Sequence, residues 1–219
     1  MHKSGEVVAV IADIVDSRRS ADRSAVQRGV ENTVNGLPQD DRTIAPFRPT
    51  VGDEFQAIFA DVPAALRATL LVILALPEGV HLRFGLGAGD VRPVLSRHES
   101  DMQDGSAWWN AREAITTARG HEKNKLPTLR SWFIDGSSSE RIASLSENAV
   151  NAYLSSRDDS LFHLSQRHRR MAHLLARGAA QAEVAAAENV TPSAVSQALR
   201  RSGLSALLMG LTLFEAPSS

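Results

Sequence analysis

The hydrophobic pattern of the first 154 residues predicts strands alternating with helices. An almost continuous apolar run over residues 7–15, rich in β-branched residues, is typical of a central strand covered on both faces. Extended segments at 44–50 and 54–59 are joined by a Gly-Asp turn and predict a hairpin. The pattern also predicts helices over 21–37, 63–76 and 106–119, strands over 80–86 and 128–134, and one or two helices over 139–154.

This order of elements predicts an α+β fold. It reads β-α-β-β-α-β-α-β-α, which is the split β-α-β arrangement of ferredoxin-like folds with an added helix and strand. In such a fold the first strand and the hairpin lie side by side at the centre of the sheet. Side chains at the end of the first strand and in the hairpin turn are therefore expected at one edge of that sheet.

Beyond residue 160 the pattern is entirely helical. Helices are predicted over 165–177, 181–188 and 192–202, with Asn189 in a tight turn and Thr191 capping the third helix. The small residue Ala185 and the apolar Val195 and Leu199 have the spacing of a helix-turn-helix. A last apolar segment, 204–214, is expected to pack on these helices or to form a dimer seam.

Charge and linker composition divide the chain into two predicted domains. The polar stretch 155–160 has the composition of a linker, so we expect an α+β domain over 1–160 and an all-α helix-turn-helix domain over 161–219. The formal net charge of −1 splits into −4 before residue 161 and +3 after it. A basic surplus in the helical part favours a nucleic-acid partner there.

The composition excludes several classes of protein. The chain has no cysteine, so disulfide frameworks, thiolate nucleophiles and cysteine zinc sites are excluded. The start lacks a secretory apolar stretch, and the longest apolar segment, 64–76, contains Arg67 and is shorter than the roughly 20 residues of a membrane span. We therefore expect a cytoplasmic protein with no membrane partner.

Asp13 and Asp53 are the candidate metal ligands. Asp13 interrupts the apolar first strand, and a carboxylate placed there usually needs a partner or a cation. Asp53 lies at the tip of the hairpin expected beside that strand, and two oxygen ligands favour Mg²⁺ or Mn²⁺. The alternative is that Asp13 ends its strand at the solvent and Asp53 is an ordinary turn residue.

Five short segments resemble known motifs in the same order. They are ADIVDS (12–17), GDEF (52–55), RFGLGAG (83–89), DGSA (104–107) and NAR (110–112). Together they resemble the nucleotide cyclase and diguanylate cyclase palm fold. The chain is most similar to the SatD family, whose members look like a cyclase-type domain joined to a helix-turn-helix, and the resemblance covers about residues 7–134.

The resemblance implies a nucleotide site with bound metal. It makes Asp13 and Asp53 the ligands of Mg²⁺ or Mn²⁺. The residues it places near a nucleoside triphosphate or cyclic nucleotide are Ile14, Val15, Asp16, Ser17, Asn110 and Arg112. Asn110 and Arg112 are two residues apart, whereas the corresponding pair of class III cyclases is four apart, so at most one of them points at the cleft. The alternative for Arg112 is a solvated basic surface, and no catalytic residue is assigned.

The third helix of the predicted helix-turn-helix carries the candidate DNA-binding residues. They are Thr191, Ser193, Ala194, Ser196, Gln197, Arg200 and Arg201. Hydroxyl, amide and guanidinium groups suit base edges and phosphates in double-stranded DNA. The alternative is a three-helix module that binds another protein.

These observations favour a DNA-binding transcriptional regulator whose cyclase-like domain senses a nucleotide with Mg²⁺. A homodimer is expected, because one small helix-turn-helix makes few contacts with DNA. Two alternatives remain open: an active nucleotidyl cyclase or related phosphoryl-transfer enzyme, and a catalytically inactive palm domain that serves as a dimerisation scaffold.

Overall fold

The chain is a mixed α+β protein, as the sequence predicts. A computed structural model describes residues 6–16, 22–50, 52–93, 103–136 and 147–216. The strands are β1 (Val7–Ile14), β2 (Thr43–Pro49), β3 (Glu54–Phe59), β4 (Leu82–Gly89), the short β5 (Arg92–Pro93) and β6 (Gln103–Asp104), and β7 (Ser131–Asp135). The helices are α1 (Arg23–Asn35), α2 (Val62–Ala75), α3 (Ser106–Asn124), α4 (Glu147–Phe162), α5 (Gln166–Ala176), α6 (Gln181–Ala187), α7 (Pro192–Arg201) and α8 (Leu204–Glu215).

Five strands form one sheet in the order β2-β3-β1-β4-β7. The neighbours are antiparallel except β4 and β7, which are parallel. β1 lies at the centre between β3 and β4, as expected from its continuous apolar sequence. The register places Asp13 opposite Glu54 on one side and Arg83 on the other.

The two faces of the sheet are covered by different helices. Even-numbered residues of β1, such as Val8 and Val10, belong to the buried cluster that includes side chains of α1 and α2. Odd-numbered residues, such as Ala9 and Ile11, pack with α3 instead. Because side chains alternate along a strand, Asp13 lies on the α3 face. The close approach of α3 requires glycine in β4: a Cβ at Gly85 would lie 2.5 Å from the Ile115 nitrogen.

The predicted linker at 155–160 is wrong, because these residues lie inside helix α4. Arg157 and Asp158 are completely buried, and their side chains pair with each other at 2.9 Å. Arg157 also donates to the hydroxyl groups of Thr69 (3.0 Å) and Ser131 (2.6 Å). Two of the polar residues read as a solvated linker are thus buried and hydrogen-bonded, which composition alone does not show. Of the predicted 139–154 helix, residues 139–146 lie outside the described part.

The C-terminal helices pack against α2. Met171 of α5 and Leu207 of α8 belong to the same buried cluster as Leu66 of α2, so the apolar core is continuous across the expected domain boundary. The division at residues 160 and 161 stays a prediction. In the described part of the chain, none of the helices combines the length and apolarity that crossing a membrane would require.

Candidate functional site

Asp13 is the centre of an ionic cluster between the sheet and α3. Arg83 donates to both of its carboxylate oxygens, at 2.8 and 3.2 Å, and Arg119 of α3 donates to Oδ2. The Asp13 and Arg83 side chains are only 13% and 7% exposed, whereas Arg119 is 54% exposed. Asp13 is therefore neither an ordinary strand end nor a carboxylate without a partner.

The cluster continues away from Asp13 as alternating charges. The Nε of Arg83 donates to Glu122 of α3 at 3.0 Å, and Arg130 pairs with the other oxygen of Glu122 at 3.0 Å. A second pair joins α3 to β3, where Arg112 donates to both oxygens of Glu54, at 2.5 and 2.9 Å. Four arginines thus face three carboxylates, and α3 supplies three of these seven residues.

Burial and charge act in opposite directions on the Asp13 carboxyl. Burial raises the pKa of Asp13 above its usual value, and the nearby charges of Arg83 and Arg119 oppose that rise. The negative charge of Asp53 raises the pKa of Asp13 further. Asp53 therefore acts electrostatically on Asp13, while a cation shared by the two stays a prediction.

Arginine side chains surround the Asp13 carboxylate in this arrangement. Arg83 and Arg119 donate three hydrogen bonds to the Asp13 carboxylate, so that arginine donors occupy most of its roughly four lone-pair sites. Among the described residues, no group of three or more histidines or carboxylates is placed to hold a metal ion. A site for Mg²⁺ or Mn²⁺ at Asp13 and Asp53 stays a prediction.

Of the candidate nucleotide-binding residues at the end of β1, Ile14 lines an open cleft. Ile14 is buried, the Val15 N–H donates to the His81 carbonyl at 2.9 Å, and Asp16 has a left-handed φ of 54°. Ser17 lies outside the described residues. The cleft, of about 570 Å³, is lined by Ile14, by Arg23 and Arg28 of α1, and by Gly52 and Asp53 of the hairpin.

Asn110 and Arg112 lie on different sides of α3. The Asn110 amide donates to the Ala88 carbonyl at 2.9 Å, whereas Arg112 contacts Glu54. Ala88 is five residues along β4 from Arg83, which at about 3.4 Å per residue is roughly 17 Å. The structure therefore brings Arg112 near the Asp13 cluster and leaves Asn110 at the opposite end of the sheet.

Helix α7 presents a polar and basic surface. Val195 and Leu199 are buried, as are Val184 and Ala185 of α6. Asn189 between the helices has a φ of 52°, as the predicted tight turn requires. Among the candidate DNA-binding residues, Thr191, Ser193, Gln197, Arg200 and Arg201 are exposed, and Ala194 and Ser196 are half-buried.

Side-chain contacts fix the start of α7 and the turn that precedes it. The Thr191 hydroxyl accepts from the Ala194 N–H at 3.2 Å, which confirms its role as the cap of α7. Glu188, in the turn between the helices, accepts two hydrogen bonds from Arg170 of α5, both at 2.8 Å. These bonds lower the pKa of Glu188. Arg167 of α5 donates to the Glu188 carbonyl at 2.9 Å, so α5 fixes the turn.

Comparison with protein families identifies one match. The model of the SatD family matches residues 7–212, which is nearly the whole chain. The chain belongs to the SatD family. No curated protein and no solved structure matches it.

Sequence reasoning misses several charged residues of this SatD family chain. Arg83 occurs in a segment that the resemblance highlights, but nothing in the sequence pairs it with Asp13. Glu122 of α3 has no local signal, because its partners Arg83 and Arg130 come from β4 and from the segment before β7. Arg23 and Arg28 could have been noted as basic residues in the first turns of α1, where the helix dipole favours anions.

Proposed function

We propose that this chain is a DNA-binding transcriptional regulator whose α+β part senses a nucleotide. The observation that carries the proposal is the exposed surface of α7, which presents Ser193, Gln197, Arg200 and Arg201. No acidic residue occurs between residues 189 and 214. The positive charges of Arg200 and Arg201 are therefore not balanced by a carboxylate within α7 or α8 up to residue 214. Such a surface suits a phosphate backbone with base edges between the phosphates.

The arrangement of α5, α6 and α7 supports a helix-turn-helix as the DNA-binding unit. The apolar side of α7 packs on α6 through Val195, and the left-handed Asn189 reverses the chain between the two helices. The opposite side of α7 is exposed, as a helix that enters a major groove must be.

The strand order supports a cyclase-like palm for the α+β part. The strands β2-β3-β1-β4 have the ferredoxin-like order, with α1 and α2 on one face, and α3 and β7 extend it. In our proposal the nucleotide phosphates occupy the cleft beside Ile14, with Arg23 and Arg28 as their partners. Because guanidinium groups occupy the Asp13 carboxylate, we favour a sensor over a cyclase that turns over its nucleotide.

We also propose that the working species is a homodimer. Met209 and Leu213 of α8 are 60% and 70% exposed, although the helix is strongly apolar. Pairing two copies through α8 would cover these side chains. A symmetric dimer would also place two α7 helices about 34–36 Å apart on a palindromic site.

DNA binding is tested first by selecting bound sequences from a random duplex library and measuring their affinity by fluorescence anisotropy. Arg200→Ala and Arg201→Ala should each weaken DNA binding. Each should also reduce the steepness of log K against log salt by about 1, because a complex with one phosphate contact fewer releases fewer counterions when it forms. Gln197→Ala should relax sequence preference with little change in that slope. Arg48→Ala, an exposed arginine of β2, is the matched control and should bind normally.

The nucleotide is tested separately by calorimetric titration of ATP and GTP, with Mg²⁺ and with EDTA, and by measuring turnover with Mn²⁺. Binding that is lost in Arg23→Ala and Arg28→Ala, without turnover, supports the sensor. Turnover would favour the enzyme instead.

Equal affinity of the wild type and the Arg200→Ala and Arg201→Ala variants for all duplexes, with one salt slope, would refute DNA binding through α7.

A further inference from the structure

A second cleft lies on the α1 and α2 side of the sheet, far from the Asp13 cluster. It encloses about 200 Å³ between the end of α1, β2 and α2. Its walls are mostly apolar and include Val34, Phe47, Phe59 and Leu71.

Small residues of α2 create this cleft. Ala64, Ala68 and Leu71 are spaced four and then three residues apart, so they lie along one face of α2 and all line the space. The alanines and the aromatic side chains of Phe47 and Phe59 line the same space. A larger residue at either alanine position would fill the space.

The size and charge of the cleft indicate the class of ligand. An apolar protein cavity of about 150 Å³ binds benzene, so 200 Å³ holds a single ring with a short substituent, roughly eight non-hydrogen atoms. The cleft has one basic and one acidic lining residue, and each is already engaged: Arg67 pairs with Glu215 at 3.3 Å, and Asp40 accepts from the Arg42 N–H at 3.0 Å. A neutral ligand therefore fits better than an ion.

Arg67 connects this cleft to the C-terminal helices. Its guanidinium donates to the Ala176 carbonyl at 2.8 Å and to Glu215 at 3.3 Å. Ala176 is the last residue of α5 and Glu215 is the last residue of α8. The carbonyls at the end of a helix have no partner within it, so Arg67 supplies one to α5. Arg67 therefore both lines the cleft and contacts two helices of the C-terminal part.

We infer that this cleft is a binding site for a small neutral aromatic molecule, and that its occupancy reaches α5 and α8 through Arg67. A ring bound between Phe47 and Ala68 would lie beside the aliphatic part of the Arg67 side chain. It would change the hydrogen bonds from the Arg67 guanidinium to Ala176 and Glu215. A change in DNA affinity caused by the bound molecule would rest on the proposed function. The binding itself and its effect on α5 do not depend on that function.

Binding is tested with 4-fluorophenol, a neutral single ring, as the probe, by titration followed with ¹⁹F NMR on the full chain. The wild type should show saturable binding, and Ala68→Phe, which fills the cleft, should bind at least about ten-fold more weakly. Ala152→Phe, the same change at an exposed position of α4, is the matched control and should bind like the wild type. Since a large residue can disturb folding, Ala68→Leu provides a smaller filling variant.

Coupling is tested by hydrogen exchange of the amides of residues 177–179, which follow Ala176 and bond back to α5. The probe should change their exchange in the wild type but not in Arg67→Met, which keeps the cleft and removes both contacts. Failure to saturate, or equal binding by the wild type and both filling variants, overturns the site. Binding without a change in exchange overturns the coupling. DNA affinity measured without the probe reports on the proposed function independently.

Discussion

Replacing Arg157 with methionine tests whether the polar stretch at 155–160 belongs to the folded core. The Arg157 and Asp158 side chains have no exposed surface, and Arg157 donates to Asp158, Thr69 and Ser131. The variant leaves Asp158 buried without its cation. A true linker would tolerate the change, because a solvated arginine contributes little to stability.

The structure sets the size of the effect. Removing one partner of a buried ion pair costs about 3–5 kcal/mol. Asp158 keeps two other donors, the Arg130 N–H at 2.8 Å and the Ser131 hydroxyl at 3.3 Å, so we expect the lower end, about 3 kcal/mol. For a chain of this size each kcal/mol lowers Tm by about 2–4 °C, which predicts a fall of roughly 6–12 °C.

Urea unfolding followed by circular dichroism measures this loss. Arg177→Met, the same substitution at an exposed position after α5, is the control and should unfold at the wild-type midpoint. Asp158→Asn and the double variant complete a double-mutant cycle, in which the double variant should lose less than the sum of the two single variants, since no buried charge remains. Strictly additive losses, or an Arg157→Met loss below about 1 kcal/mol, would refute the buried ion pair.

Three further outcomes follow from the packing. Asn151→Ala should cost about 1–3 kcal/mol in urea unfolding, because the Asn151 amide pairs with both the N–H (2.8 Å) and the carbonyl (2.9 Å) of Phe133 at the edge of the sheet. Gly85→Ala should prevent α3 from packing and sharply lower the yield of folded protein, whereas Gly120→Ala, whose Cβ meets nothing within 4 Å, should raise the unfolding midpoint. Leu213→Glu should shift the mass in light scattering from twice 23.6 kDa to 23.6 kDa; a wild type already at 23.6 kDa would contradict the dimer.

Local sequence determined the elements of this fold. β1 is apolar at nearly every position because both faces of the central strand are covered, and that run is visible without any structure. The Gly-Asp turn, the Thr191 cap and the left-handed Asn189 were likewise predictable, since each depends on the conformational preference of one or two residues. Family membership also follows from sequence, because the SatD match extends over residues 7–212.

The tertiary structure alone decided which charged residues are partners. Asp13 and Arg83 are 70 residues apart, and Glu122 is a further 39 residues from Arg83. Whether a carboxylate contacts a cation, an arginine or water depends on the strand register and on which helix covers its face of the sheet. Neither the register nor the covering helix can be derived from a local sequence pattern. For the same reason Arg157 and Asp158 read as a solvated linker from sequence: composition counts polar groups, but only packing shows whether their hydrogen-bonding partners are water or protein.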